Sequence, residues 1–140
     1  MIYGKDCLKK YGEPSASGSF MELLTIPSHF QIQHFPSRIF CNKDLHEPLL
    51  LALSHLITSG CFEEVKTYDG CFNIRKMRGV NAPSLHSWGV ALDINAFENQ
   101  LYTKGKFSQK FVDCWRMAGF DWGGDWKKRT DPMHFQLSKI

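Results

Sequence analysis

The stretch PSLHSWGVALDIN, residues 83–95, places a histidine and an aspartate seven positions apart around a glycine. His86 and Asp93 could cap backbone groups, exchange protons or hold a metal, and their spacing alone does not choose among these. Alternation over residues 90–95 predicts a strand with Val90, Leu92 and Ile94 on one face and Ala91, Asp93 and Asn95 on the other. Asp93 then looks away from the core. The tail DPMHFQLSKI repeats the pattern, with Met133, Phe135 and Leu137 on one face and His134, Gln136 and Ser138 opposite. If the two strands pair in one sheet, Asp93 and His134 become neighbours. His86, on the loop that Gly89 turns, can then fold over to meet them.

Two imidazoles and one carboxylate suit a catalytic Zn²⁺, which takes three protein ligands and leaves one position for water. Non-haem iron oxygenases use the same ligand types. Those sites usually draw a histidine and the carboxylate from adjacent alternating strand positions, and the six residues between His86 and Asp93 fit that poorly, so zinc is preferred. Zinc brings the pKa of its bound water from about 16 to near 7, and a base must still carry the proton. Asp131, three residues before His134, is the carboxylate nearest that ligand in sequence.

The elements that must position these residues are legible in outline. Residues 12–40 hold Pro14, Pro27 and Pro36 among serines and glycines and read as an irregular N-terminal wrap. Leu45, Leu49, Ala52, Leu53, Leu56 and Ile57 recur at helical spacing, with Pro48 in the first turn and Gly60 at the C-terminal cap. EVKTYDGCFNIR reads as two short extended runs around an Asp69-Gly70 hairpin turn. A second helix runs from Ser108, an N-cap, to Ala118, and Gly119 ends it. This order predicts an α+β domain, a small, largely antiparallel sheet with helices packed on one side, with residues 1–140 forming a single domain.

With 43% hydrophobic, 14% aromatic and 22% charged residues, the chain belongs with globular proteins rather than disordered ones. No apolar run approaches the roughly 20 residues of a membrane span. The start MIYGKDCLKKYGEPS lacks the marks of a signal peptide, so the expectation is synthesis in the cytoplasm. Five cysteines without C-x-x-C spacing signal neither a disulfide framework nor a thiolate zinc site and read as reduced, buried side chains. A net charge of +3 favours an anionic partner mildly and does not indicate nucleic acid.

SLHSWGVALDIN and DPMHF resemble the S-x-H-x-x-G-x-A-x-D and (D/E)-x-x-H motifs of the M15-type zinc peptidases. That family includes D-alanyl-D-alanine carboxypeptidases, VanX-like and VanY-like dipeptidases and the L-alanyl-D-glutamate endopeptidases of bacteriophage lysins. The likeness covers about residues 68–135. It implies a Hedgehog/DD-peptidase-like fold, His86, Asp93 and His134 as zinc ligands, and Asp131 as general base. It also implies an arginine before the first histidine that binds substrate and polarises the scissile carbonyl. Arg75 matches that role better than Arg78, which is left as a substrate contact, and Ser84 would touch substrate or support a ligand. Aspartate rather than glutamate at position 131 is similar to the phage endopeptidases. The resemblance therefore implies a monomeric endolysin that cleaves the L-alanyl-D-glutamate bond of peptidoglycan stem peptides during host cell lysis. It would reach the periplasm through a holin, without stable membrane association.

Two further readings stand beside this one: a D-alanyl-D-alanine carboxypeptidase or dipeptidase, and a non-catalytic zinc-stabilised binding module. Asp131 could open a turn, and Arg75 and Arg78 could be solvated hairpin charges. His29, His34, His46 and His55 read as surface or packing residues. Trp88, Trp122 and Trp126 read as core or as the wall of a substrate groove.

Overall fold

A computed structural model describes residues 1–140. In chain order its elements are α1 (Gly4–Tyr11), β1 (Met21–Thr25), β2 (Arg38–Asn42), α2 (His46–Ser59), β3 (Tyr68–Gly70), β4 (Ala91–Ile94), α3 (Gln109–Met117), β5 (Phe120–Trp122) and β6 (His134–Leu137). Short 3-10 turns join several of them. The strands form two antiparallel sheets, β1-β2 and β3-β4-β6-β5, so the fold is α+β as expected.

Helix α2 buries Leu49, Ala52, Leu53 and Leu56, while Ile57 sits at the edge of that face and is 36% exposed. Pro48 occupies its first turn, where a missing N–H breaks no helical bond. Helix α3 starts at Ser108, whose hydroxyl accepts from the Phe111 N–H, and buries Phe111, Cys114 and Trp115. The rings of Trp115 and Phe111 lie 4.9 and 6.1 Å from that of Phe135, in the middle of β6. Burying each such ring contributes roughly 1.5–3 kcal/mol. One face of the larger sheet is thus anchored by Phe135 against α3, leaving His134 and Gln136 to the opposite face.

The N-terminal part departs from the expected irregular wrap. Residues 12–40 include β1 and the start of β2, and α1 precedes them. Strand β1 buries Met21 and Leu24 but exposes Glu22, Leu23 and Thr25, a pattern without period-two alternation, so alternation could not reveal it. Helix α1 buries only Cys7 among its eight residues, too narrow a stripe to read as amphipathic.

Asp69-Gly70 is not a hairpin turn. Tyr68 pairs with Ile94 and Gly70 with Asp93, with a register shift between them, and the Asp69 carboxylate accepts from the Thr67 hydroxyl and the Ala96 N–H. The chain reverses later, where Lys76 and Pro83 form an isolated antiparallel bridge. Arg75 therefore lies outside any strand, and alternation does not set its direction. Asn95 also differs from expectation. It leaves the strand in the left-handed region (φ 51°), is 2% exposed, and its amide accepts from the N–H groups of Lys66 and Thr67 and donates to the Glu64 carbonyl.

All five cysteines are free and buried, and burial pushes the thiols of Cys7 and Cys41 up to about 12. No helix is long and apolar enough to cross a membrane.

Gly89 ties the small sheet to the large one. It has φ +68°, its carbonyl accepts from the Asn42 N–H at 3.1 Å, and a Cβ there would lie 2.8 Å from that nitrogen. Gly119, at φ +100°, has open space around it. Gly119→Ala should therefore cost about 1–2 kcal/mol of backbone strain, and Gly89→Ala clearly more, because the Asn42 contact must also open. Urea denaturation of the two variants side by side checks the difference.

Candidate functional site

Strand register supplies the first contact of the site. Antiparallel pairing of β4 with β6 makes Asp93 and His134 direct partners, and the same register places Leu92 opposite Phe135 in the core. His86 arrives from the 3-10 turn Leu85–Trp88, capped at its start by the Ser84 hydroxyl, which accepts from the His86 N–H at 3.3 Å. Ser84 is 4% exposed, so its evident contribution is to shape the turn that carries His86.

His86 Nε2 lies 3.2 Å from Asp93 Oδ2, and His134 Nδ1 lies 3.5 Å from Asp93 Oδ1. One candidate ligand atom from each residue falls within 4.8 Å of the others. His86 Nε2 and Asp93 Oδ1 are buried and make no hydrogen bond despite these distances. The outer ring nitrogens explain why. His86 Nδ1 is 2.7 Å from the Cys71 carbonyl, an acceptor only, so Nδ1 donates there and Nε2 is the nitrogen turned inward, with its lone pair toward the site in the neutral tautomer.

His134 is oriented by a relay. Its Nε2 lies 3.0 Å from Gln136 Oε1, and Gln136 Nε2 donates to the Ile2 carbonyl at 3.2 Å. Because the Ile2 carbonyl can only accept, it fixes which end of the amide faces His134. Nε2 of His134 donates, and Nδ1 is left free to face Asp93. Three lone-pair donors thus converge in a buried volume. Without a cation among them they repel, and either a proton or a metal ion relieves the repulsion.

The titration behaviour reflects that convergence. Burial would raise the Asp93 carboxyl, yet the imidazoles of His134 and His86, when they carry the relieving proton, hold it well below the usual carboxylate range. Burial would lower His134, but Asp93 and Asp131 outweigh it, and the ring keeps its proton to higher pH than usual. For Asp131, burial pushes the carboxyl upward, aided by Asp93 and opposed by His134 and Arg129.

Asp131 is set by the loop between β5 and β6. Its N–H donates to the Gly123 carbonyl at 2.9 Å and its carbonyl accepts from the His134 N–H at 3.0 Å. A Cβ on residue 123 would collide with the Asp131 carbonyl, so only glycine lets the two segments close.

His86, Asp93, His134, Asp131, Ser84, Arg75 and Arg78 all line one cleft. The structure thus brings these seven candidate residues to one cleft. Arg75 is held by its backbone, whose N–H donates to the Ser87 hydroxyl and whose carbonyl accepts from it and from the Ser84 N–H. Of the tryptophans, Trp88 is buried and donates to the Gly12 carbonyl, and Trp122 donates to the Pro132 carbonyl. Only Trp126 reaches the cleft, with its ring 5.2 Å from that of His134. Arg129 and Gln136 also line it, and sequence reasoning missed both roles. Gln136 stands two residues beyond His134 on one strand face, a usable signal, whereas Arg129 sits in a loop where no periodicity applies. The remaining histidines stay outside, and His46 lies beside Glu22.

Gln136→Leu should fold and still present His134, but without its outer hydrogen bond. Divalent-metal affinity should fall roughly 10- to 100-fold, as read by competition with a chromogenic chelator.

With this geometry established, comparison with known proteins is informative. No curated protein matches the chain significantly. Residues 78–137 match the model of a family described as D-alanyl-D-alanine carboxypeptidase. The matched stretch contains Ser84, His86, Asp93, Asp131 and His134, while Arg75 precedes it. Over residues 78–137 the chain is thus similar to the M15-type peptidases, through a stretch that holds all three candidate metal ligands.

Proposed function

We propose that the chain is a zinc-dependent peptidoglycan peptidase that hydrolyses the L-alanyl-D-glutamate bond of the stem peptide. The observation that carries this reading is the convergence of three inward lone pairs, from His86, Asp93 and His134, beside Asp131 in a cleft rimmed by arginines. The buried, unpartnered His86 Nε2 and Asp93 Oδ1 fit a metal ion, and two imidazoles with one carboxylate suit Zn²⁺. Bound there, zinc supplies Lewis-acid polarisation and readily ionised water.

The chain's own residues do the rest. The Asp131 carboxylate takes a proton from the attacking water as the C–O bond forms, then returns it to the leaving nitrogen as the C–N bond breaks. Arg75 offers its guanidinium to the oxyanion that develops on the former carbonyl. Arg78 and Ser84 lie along the same cleft, where a stem peptide would rest. Asp131 in place of glutamate supports the endopeptidase reading and, with it, an endolysin acting as a monomer. The family description supports a D-alanyl-D-alanine carboxypeptidase as the second reading.

Purified peptidoglycan digested with the zinc-loaded protein should yield fragments with a new N-terminal D-glutamate by mass spectrometry. Release of terminal D-alanine without them would establish the second reading instead. Asp131→Asn should lower hydrolysis by about 10²- to 10⁴-fold while retaining one zinc, and His86→Ala should lose both zinc and stability; metal analysis with thermal melts separates them.

Zinc binding should also release protons. In the metal-free chain His134 stays protonated up to its raised pKa, and metal needs the neutral ring. Proton release should therefore fade, and zinc affinity level off, as pH rises through that value. Calorimetry in buffers of different ionisation enthalpy measures the release. The sign for metal-free stability follows from the same shifts. The His134 contribution is present at low pH and lost as pH rises through its raised pKa, whereas that of Asp93 is present above the usual carboxylate range and lost as pH falls below it.

A further inference from the structure

Six buried side-chain polar atoms lack a hydrogen-bond partner, and four of them belong to residues of the cleft. Two, His86 Nε2 and Asp93 Oδ1, are acceptors and are accounted for by a cation. The other two are donors, the indole Nε1–H of Trp126 and the guanidinium Nε–H of Arg129. No cation can satisfy a donor, so these two call for a different ligand, one that accepts.

Both donors are held rigidly. Their loop is clamped by the Asp131 N–H on the Gly123 carbonyl, by the Trp122 indole on the Pro132 carbonyl, and by Arg116, whose Nη2 donates to both carboxylate oxygens of Asp125 at 2.7 Å. Arg129 is further fixed by its Nη2, which donates to the Arg78 carbonyl at 2.8 Å across the cleft. The Trp126 ring rests beside His134. Donors fixed in place before ligand arrives lose little freedom on binding.

Charge indicates what kind of acceptor fits. Arg116, away from the cleft, has ion pairs with Asp113 and Asp125. Arg75, Arg78 and Arg129 all line the cleft, and none of them is in a salt bridge with a carboxylate of the chain. The carboxylates of the cleft, Asp93 and Asp131, are those assigned to the metal and the proton. A neutral carbonyl would satisfy one donor, whereas a carboxylate has two oxygens for two donors and answers the unbalanced positive charge.

We propose that Trp126 and Arg129 form a specificity site for a free α-carboxylate on the substrate residue that supplies the leaving nitrogen. The inference rests on the peptidase reading above and deepens it. In an ordinary protein that carboxylate is consumed in the next peptide bond. It is free in D-glutamate linked onward through its side chain, and free again in a terminal D-alanine. The site thus excludes ordinary polypeptides and accepts either wall-peptide source.

The test uses three synthetic peptides with zinc-loaded protein: L-Ala-D-Glu-L-Lys linked through the glutamate side chain, the same peptide with its glutamate α-carboxylate amidated, and a peptide ending in D-Ala-D-Ala. Whichever of the first and third is cleaved identifies the source of the carboxylate. For the glutamate source, kcat/KM should favour the carboxylate over the amide by ~10-fold or more. For the alanine source, the C-terminally amidated peptide is the comparison. Arg129→Gln and Trp126→Phe should each collapse that ratio toward one while zinc content stays at one per chain, a change that a merely structural role would not produce. Cleavage without discrimination, or discrimination retained in both variants, overturns the carboxylate site and leaves the peptidase reading intact. If no peptide is cleaved, the peptidase reading fails. Calorimetry of the Asp131→Asn protein then decides the site separately: tighter binding of carboxylate than amide peptide supports it, and equal or absent binding overturns it.

Discussion

The register between β4 and β6 is the constraint on which the rest of the structure depends. It sets Leu92 opposite Phe135 and Asp93 opposite His134 in consecutive pairs. Because side chains alternate across a sheet, a slip of one residue would expose the Phe135 ring and bury His134 in the core. The apolar face, with Phe135 against Phe111 and Trp115 of α3, therefore holds the polar face in place. Core packing selects the alignment, and the site inherits it.

Burying three mutually repelling lone-pair bearers carries a cost that the surrounding structure must absorb. The outer nitrogen of His86 is secured by the Cys71 carbonyl, and that of His134 by Gln136 and, through it, the Ile2 carbonyl. The N-terminal segment is thereby tied to the site as well as to the fold. The small β1-β2 sheet takes part too, through Asn42, whose side chain donates to the Trp88 carbonyl at 3.0 Å at the end of the turn bearing His86. Elements far apart in sequence thus converge on holding the imidazoles at fixed angles.

The loop joining β5 to β6 has a different character. It carries Asp131 to the cleft that holds His86, Asp93 and His134 and presents Trp126 and Arg129 to the same cleft, and it is clamped at both ends. Its glycines permit close approach at residue 123, and its ion pair with Arg116 links it to α3. Under the proposed function, one rigid segment carries proton transfer and substrate selection beside a separate set of candidate metal ligands.

Much of this was legible in the sequence, because alternation and helical spacing report local geometry. The two strands, their inward and outward faces, helices α2 and α3 with their caps, and the candidacy of His86, Asp93, His134 and Asp131 all follow from patterns within about a dozen residues. The departures share one physical cause. Asp69-Gly70 has the chemistry of a turn but pairs as strand, because Ile94 and Asp93 of β4 offer a ladder to complete. Asn95 has the position of a cleft residue but turns inward to satisfy the backbone around Glu64 and Thr67. The Gln136-Ile2 relay spans 134 positions, and Arg129 meets the Arg78 carbonyl across 51. Contacts at such separations leave no periodic trace in the chain. The sequence by itself determined which residues could act and which face each strand would show. Tertiary structure decided which buried donors and acceptors find partners and which are left without one, because that depends on atoms brought together only when the whole chain packs.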